Sequence, residues 1–141
     1  MLIYILIMKK DLPENIVEDV AMAVVLMGDT PEVRSWTVYF INLKDVEVNN
    51  VLISSKGYGE KDGKMVKTSV LRHFLGDLGA RSFKGVEAID PEVFGLTNEY
   101  WLSYYVDGVI YDKKFIFLPE SIVDENLIHI PLVDSPGVMI R

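Results

Sequence analysis

Two apolar runs, Tyr100 to Val106 and Val109 to Leu118, meet at Asp107-Gly108, and this junction constrains the fold more than any other feature of the chain. Asp-Gly between such runs suits a type I′ turn, in which both central residues take positive φ. A two-residue turn sets Val106 opposite Val109, Tyr104 opposite Tyr111 and Leu102 opposite Lys113. Tyr100, Leu102, Tyr104, Val106, Val109, Tyr111 and Phe115 then share one face, which is assigned to the core. Trp101, Ser103, Tyr105, Ile110, Asp112, Lys114 and Ile116 share the other, a mixed and part-exposed surface. Pro119 ends the second strand.

Further strand-sized runs separated by turn residues precede and follow this ribbon. Asp19 to Met27 reads as a buried strand rather than a short helix, because Gly28-Asp29-Thr30-Pro31 turns it into another strand. One helical turn is expected over Pro13 to Asp19. Ser35 to Ile41 is dense in aromatic and β-branched residues and reads as a strand turned by Asn42 to Asp45. Within it Tyr39 alternates out of phase with Trp36, Val38 and Phe40. Val46, Val48, Val51 and Ile53 change phase across Asn49-Asn50, and a phase change in an alternating strand requires a bulge. Ser54 to Lys64 reads as a loop or loose hairpin with a turn at Asp62-Gly63. Thr68 to Leu75 and Arg81 to Ile89 flank a Gly76 to Gly79 turn. Asp90 to Asn98 is a connection, Leu127 to Ile130 a short strand, and the tail from Asp134 is expected frayed or packed as an edge. The sum is an all-β chain of about seven to eight strands, an antiparallel β-sandwich, in one domain over 1–141.

Composition removes several classes of activity. With 21 acidic and 14 basic residues the net charge is −7, and the longest basic clusters are Lys9-Lys10 and Lys113-Lys114. That balance disfavours nucleic acid, which calls for a basic stripe to displace counterions, and anionic membrane surfaces. The absence of cysteine removes disulfides, thiolate nucleophiles and iron–sulfur clusters, and fits a cytoplasmic location. The apolar run Met1 to Met8 is too short for a bilayer span of about 20 residues, and it lacks a signal peptide's basic leader. It reads as a covered β-strand, or as an extension ahead of Met8.

Trp36 to Asn42, Val48 to Ser54, Leu78 to Phe83 and Tyr100 to Phe117 together resemble the immunoglobulin-like or fibronectin-type-III-like sandwich: an apolar strand ending in Asn, an alternating strand, a Gly-marked turn and a closing hairpin. Ser54 to Glu60 and Tyr111 to Ser121 are similar to stretches of a small uncharacterised bacterial protein family, some members of which carry a phenylalanyl-tRNA synthetase label. The catalytic motifs of such a synthetase are not found in this sequence. A sandwich hosts many functions, so the resemblance implies the fold more than an activity.

Residue patterns for chemistry are sparse. Gly57-Tyr58-Gly59 lacks the third glycine, the Gly-Lys-Ser/Thr run and the following helix of a phosphate cradle. His73 and His129 lie far apart in sequence with no carboxylate at a metal-ligand offset, so both read as structural or solvent-facing. No Gly-x-Ser-x-Gly elbow occurs. Glu92, Glu99, Asp112, Asp124 and Glu125 read as solvated rim charges rather than a glycosidase pair, and Asp124-Glu125-Asn126 lacks a calcium loop's alternation. No catalytic residue, cofactor or metal site is assigned.

The aromatic surface is the better candidate. Trp101 and Tyr105 share the outer hairpin face, with Lys114 opposite Trp101 and Ile110 opposite Tyr105, and large rigid aromatics recur at binding hot spots. The competing reading is that another segment of the chain covers them; Tyr39 is a weaker candidate of the same kind. The expected function is a non-catalytic interaction or structural module, self-associating through an edge strand or apolar face. The alternative is a sandwich that binds a sugar or small ligand at Trp101 and Tyr105.

Overall fold

The computed structural model describes residues 15–141, and ten strands account for most of them. The expectations for residues 1–8 and for Pro13 and Glu14 lie outside this range, and Asn15 to Glu18 form no helical turn. Strand β1 (Val20–Asp29) explains its own continuous apolar run, because both of its faces are covered. Val20, Met22, Val24 and Leu26 face the inter-sheet core. Ala21, Ala23 and Val25 face the other way and are fully buried with Ile41 and Ile130, with Tyr39, Leu43, Leu132, Val133 and Met139 packed around them.

Strand β2 (Arg34–Asn42) pairs antiparallel with β1, and β6 (Ser82–Ile89) pairs with β2. On the other side of β1 lies β10 (Ser135–Ile140), followed by β9 (Ile128–Ile130). The first sheet therefore runs β6-β2-β1-β10-β9. The tail is thus neither frayed nor an edge. It is an interior strand, and Gly137 shows why a Pro-Gly sequence can lie there. A Cβ at that position would stand 2.6 Å from the Val24 carbonyl oxygen and 3.0 Å from Ile130 Cγ1.

The second sheet is organised on β3 (Val48–Lys61), which pairs with β7 (Thr97–Val106); β7 in turn pairs with β8 (Val109–Phe117). The other edge of β3 carries β5 (Leu71–Leu78) along its first part and β4 (Lys64–Lys67) along its second. Register shifts on β3 between Val48 and Leu52, with Asn50 at φ 50°, are the bulge required by the phase change at Asn49-Asn50. Of the loop and hairpin readings of Ser54 to Lys64 the hairpin holds, with β3 running to Lys61 and turning at Asp62-Gly63 into β4, since pairing to β7 and β4 overrides the stretch's weak local preference. One expectation needs correction. The turn expected at Gly76 to Gly79 falls later, around Ala80 and Arg81, because Gly76 at φ +75° serves as an irregularity opposite Val51 within β5.

The hairpin of β7 and β8 has the register read from Asp107-Gly108: Val106 opposite Val109, Tyr104 opposite Tyr111, and Leu102 opposite Lys113. Asp107 and Gly108 sit at φ 50° and 75°, and Asp62 and Gly63 repeat the device at 53° and 76° between β3 and β4. Tyr100, Leu102, Tyr104 and Phe115 are buried as assigned, and the Tyr104 and Tyr111 rings stack 5.3 Å apart. Val109 is not in the core. It is 42% exposed, while Val106 opposite it packs against the core. The two antiparallel sheets face each other across one apolar cluster, an all-β sandwich of ten strands rather than seven or eight. No helix among the described residues is long and apolar enough to cross a membrane.

Candidate functional site

The two sheets treat their outward faces differently. On the β1 side the central outward residues Ala21, Ala23, Val25, Ile41 and Ile130 are buried, with Leu43, Leu132 and Val133 from the chain's own turns packed against them. Tyr39 belongs there, edge-on to Phe83 at 5.6 Å, and is half-buried rather than presented. On the β5-β3-β7-β8 side no described segment lies over the sheet in the same way. Cross-strand pairing arranges its outward side chains in rows. One row runs Phe74, Leu52, Ser103, Asp112, and the next runs Arg72, Ser54, Trp101, Lys114. Tyr105 and Ile110 form a third pair nearer the hairpin turn.

Trp101 is the centre of this face and is 47% exposed, so it is not covered by a described part of the chain. Phe74, Ile110, Ile116 and Leu52 are also exposed. The sequence-derived set, Trp101, Tyr105, Ile110 and Lys114, therefore does share one surface. Its geometry is fixed by neighbours: Lys114 Nζ lies 4.8 Å above the indole, and Trp101 Nε1 donates to Asp112 Oδ2 at 3.2 Å. Asn15 Nδ2 donates to the Ile110 carbonyl at 2.7 Å and marks the β8 side of the face. The small side chains of Ser54 and Ser103 leave a shallow depression of about 360 Å³, walled by Leu52, Trp101, Ile110 and Asp112. Phe74 and Leu52 were not singled out in the sequence, since they reach this surface only through the pairing of β5 with β3.

Glu99 corrects the reading of the carboxylates as rim charges. It is 7% exposed, with Lys56 Nζ 3.6 Å from Oε2 and the Tyr58 hydroxyl 3.4 Å from Oε1. Outward-pointing neighbours on β3 fold over it. Glu92, Asp112, Asp124 and Glu125 are exposed as read. Asp124 forms a surface ion pair with Arg34 at 3.0 Å.

A second polar constellation lies where the edge of one sheet approaches the edge of the other. Ser55 of β3 donates from Oγ to Glu87 Oε1 of β6 at 2.5 Å, and His73 Nε2 of β5 lies 3.1 Å from the same oxygen. This is not a nucleophile-activating relay. Activation needs the imidazole in contact with the hydroxyl it deprotonates, whereas here both groups end on one carboxylate oxygen. His73 is thus structural, and His129 is exposed beside Asp134 at 3.2 Å. Burial, followed by the Glu87 charge, pushes the nearby Tyr100 hydroxyl well above the ordinary tyrosine range, so it stays protonated. Gly57 and Gly59 lie within β3 and cradle nothing at a helix start. Among the described residues no three His, Cys, Asp or Glu side chains gather as metal ligands.

No family model, curated protein or solved structure matches the chain.

Proposed function

We propose that the protein is a non-catalytic interaction module whose working surface is the open face of the β5-β3-β7-β8 sheet, and that its partner there is a second copy of the chain. One observation carries the reading: among the described residues, one outward sheet face is closed over Ala21, Ala23 and Val25, and the other leaves Trp101, Phe74 and Ile110 exposed. Exposed aromatic residues grouped on one surface mark contact sites. The face carries cations, Arg72 and Lys114, beside the acid Asp112. Both signs on one patch suit an isologous contact, in which each copy offers what the other needs. Four strands about 4.8 Å apart and about six residues long make a face of roughly 19 by 20 Å. That is small for an interface, so the association is weak and concentration-dependent.

The fold supports a module of this kind. We read β1, β2 and β6 in one sheet and β3, β7 and β8 in the other as counterparts of the A-B-E and C-F-G strands of an immunoglobulin-type sandwich, from which the chain departs by pairing β5 to β3 instead of β6 and by adding β10 and β9 beyond β1. A cytoplasmic setting fits the cysteine-free sequence.

Light scattering over a hundredfold concentration range tests the proposal. The wild type gains mass with concentration, and Trp101→Ala and Phe74→Ser each hold it at the monomer. A wild type that stays monomeric throughout would defeat it. One observation favours a second reading, sugar binding: the Trp101 indole is held by Asp112 beside a serine-floored depression. Glycan-array binding that is lost in Trp101→Ala would favour that reading over self-association.

A further inference from the structure

The seam between the sheets holds a cleft of about 210 Å³, close to seven times the volume of a liquid water molecule. It lies on the other side of β3 from the Trp101 face, so it stands independently of the proposed partner surface. Its polar groups come from β3, β6 and β7 and from the connections that follow β4 and β6, and their hydrogen bonds are unequally spent.

The side-chain donors of Ser55, Thr68 and Asn98 are committed. Ser55 gives its hydroxyl hydrogen to Glu87 Oε1, and Thr68 gives its own to the Ser69 carbonyl at 3.0 Å. Asn98, 5% exposed, uses both amide hydrogens on the carbonyls of Val93 and Leu96, at 2.8 and 3.2 Å. The acceptors are left over. Glu87 Oε1 takes Ser55 and His73, while Oε2 has no partner among the described residues. Asp90 Oδ1 takes the Glu92 amide at 2.9 Å, which leaves Oδ2. Asn98 Oδ1 faces Gly57, where a Cβ would crowd it at 3.2 Å, so glycine there keeps the oxygen accessible. Tyr100, only 2% exposed, lines the cleft with a hydroxyl that has no partner among the described residues. The one nearby ammonium, that of Lys56, pairs with Glu99.

We infer that this cleft binds a small primary amine, its ammonium received by Glu87, Asp90, Asn98 and Tyr100 and its alkyl body lying on Leu71, Ile89 and Val93. An ammonium carries three donors and no lone pair, which suits the free oxygens of Glu87, Asp90 and Asn98 and a lone pair of the Tyr100 hydroxyl, in a wall whose Ser55, Thr68 and Asn98 hydrogens are used. Two carboxylates supply the opposite charge, and hydrogen bonds to charged groups are the stronger kind. An alcohol of the same shape brings a lone pair of its own and no charge, so the cleft discriminates against it.

Amide-resolved NMR titration of the full chain with n-butylamine, and separately with n-butanol, tests the assignment. Butylamine gives saturable shifts at Thr68, Ala88 and Asn98, and butanol binds at least about tenfold more weakly. Glu87→Gln weakens the amine about tenfold and leaves the weak alcohol response unchanged. Tyr100→Phe, which keeps the ring and removes one acceptor, weakens it about threefold and serves if the Glu87 variant does not fold. Equal binding of alcohol and amine would overturn the proposal. So would amine binding that survives both substitutions, or the absence of saturable shifts at the cleft.

Discussion

Replacing Asn42 by alanine is expected to cost the fold about as much as truncating a large apolar core residue. Asn42 ends β2 with zero exposure and ties together two turns that are distant in sequence. Its Nδ2 donates to the Val46 carbonyl at 3.0 Å and the Gly79 carbonyl at 2.9 Å, with Leu78 at 3.4 Å as a weaker third. Its Oδ1 accepts the Lys44 amide at 3.0 Å. Three good hydrogen bonds at about 1 kcal/mol each give a loss of roughly 3 kcal/mol, and burial of the orphaned carbonyls keeps water from replacing them. For a domain of this length that lowers Tm by about 10 °C. Asn42→Asp keeps the acceptor and sets a carboxylate against carbonyl oxygens. The carboxyl of the variant then titrates higher in the folded state than in the unfolded state. The folded state holds the extra proton, so stability relative to Asn42→Ala falls as pH rises through the acid range. Urea unfolding across pH 3.5 to 7 measures both effects. Asn49→Ala is the control, since Asn49 bonds only to the exposed Glu47 side chain at 2.6 Å and its loss is expected to stay within about 0.5 kcal/mol. A loss below about 1 kcal/mol in Asn42→Ala, or an Asn42→Asp penalty independent of pH, would refute the reasoning.

Other substitutions follow from single contacts. Gly137→Ala pushes a methyl group into the backbone of β1 and is expected to destabilise by about 1–3 kcal/mol in chemical denaturation; an unchanged midpoint would remove β10 from its interior place. The Tyr104 hydroxyl is the one fully buried side-chain polar atom without a partner among the described residues, so Tyr104→Phe should be neutral or stabilising by up to about 1 kcal/mol. Burial, then Tyr111, Asp19 and Glu18, push that hydroxyl up to about 12. The folded state therefore keeps its proton above pH 10 while the unfolded state loses it, and stability falls as pH rises from 10 towards 12. Tyr104→Phe should lessen that slope and leave the part that Tyr100 contributes, as read by thermal melts in alkaline buffers.

What was legible in the sequence was local. Asp107-Gly108 fixes a register because a two-residue turn allows only one, and the phase change at Asn49-Asn50 demands a bulge wherever the strand lies. The alternation that follows put Trp101, Tyr105, Ile110 and Lys114 on one face before any pairing between sheets was known. What was hidden depends on contacts between remote segments. Ser54 to Lys61 has the composition of a loop and becomes strand because β7 and β4 flank it. Ser135-Pro136-Gly137 resembles a frayed end, yet its missing side chain is what lets β10 lie against β1. Glu99 alternates outward and is buried all the same, because Lys56 and Tyr58 reach across from the next strand. The Ser55, His73 and Glu87 cluster joins three strands of two sheets, and no spacing in the sequence announces it.

The chain has two tryptophans, Trp36 buried at 5% exposure and Trp101 open at 47%, so a Trp36→Phe variant makes fluorescence a reporter of the open face alone. Its emission and acrylamide quenching, followed from dilute to concentrated solution, test whether a second copy seals that face. A blue shift and falling quenching constant that track the gain in mass are expected. An indole that stays equally accessible at every concentration would contradict the account.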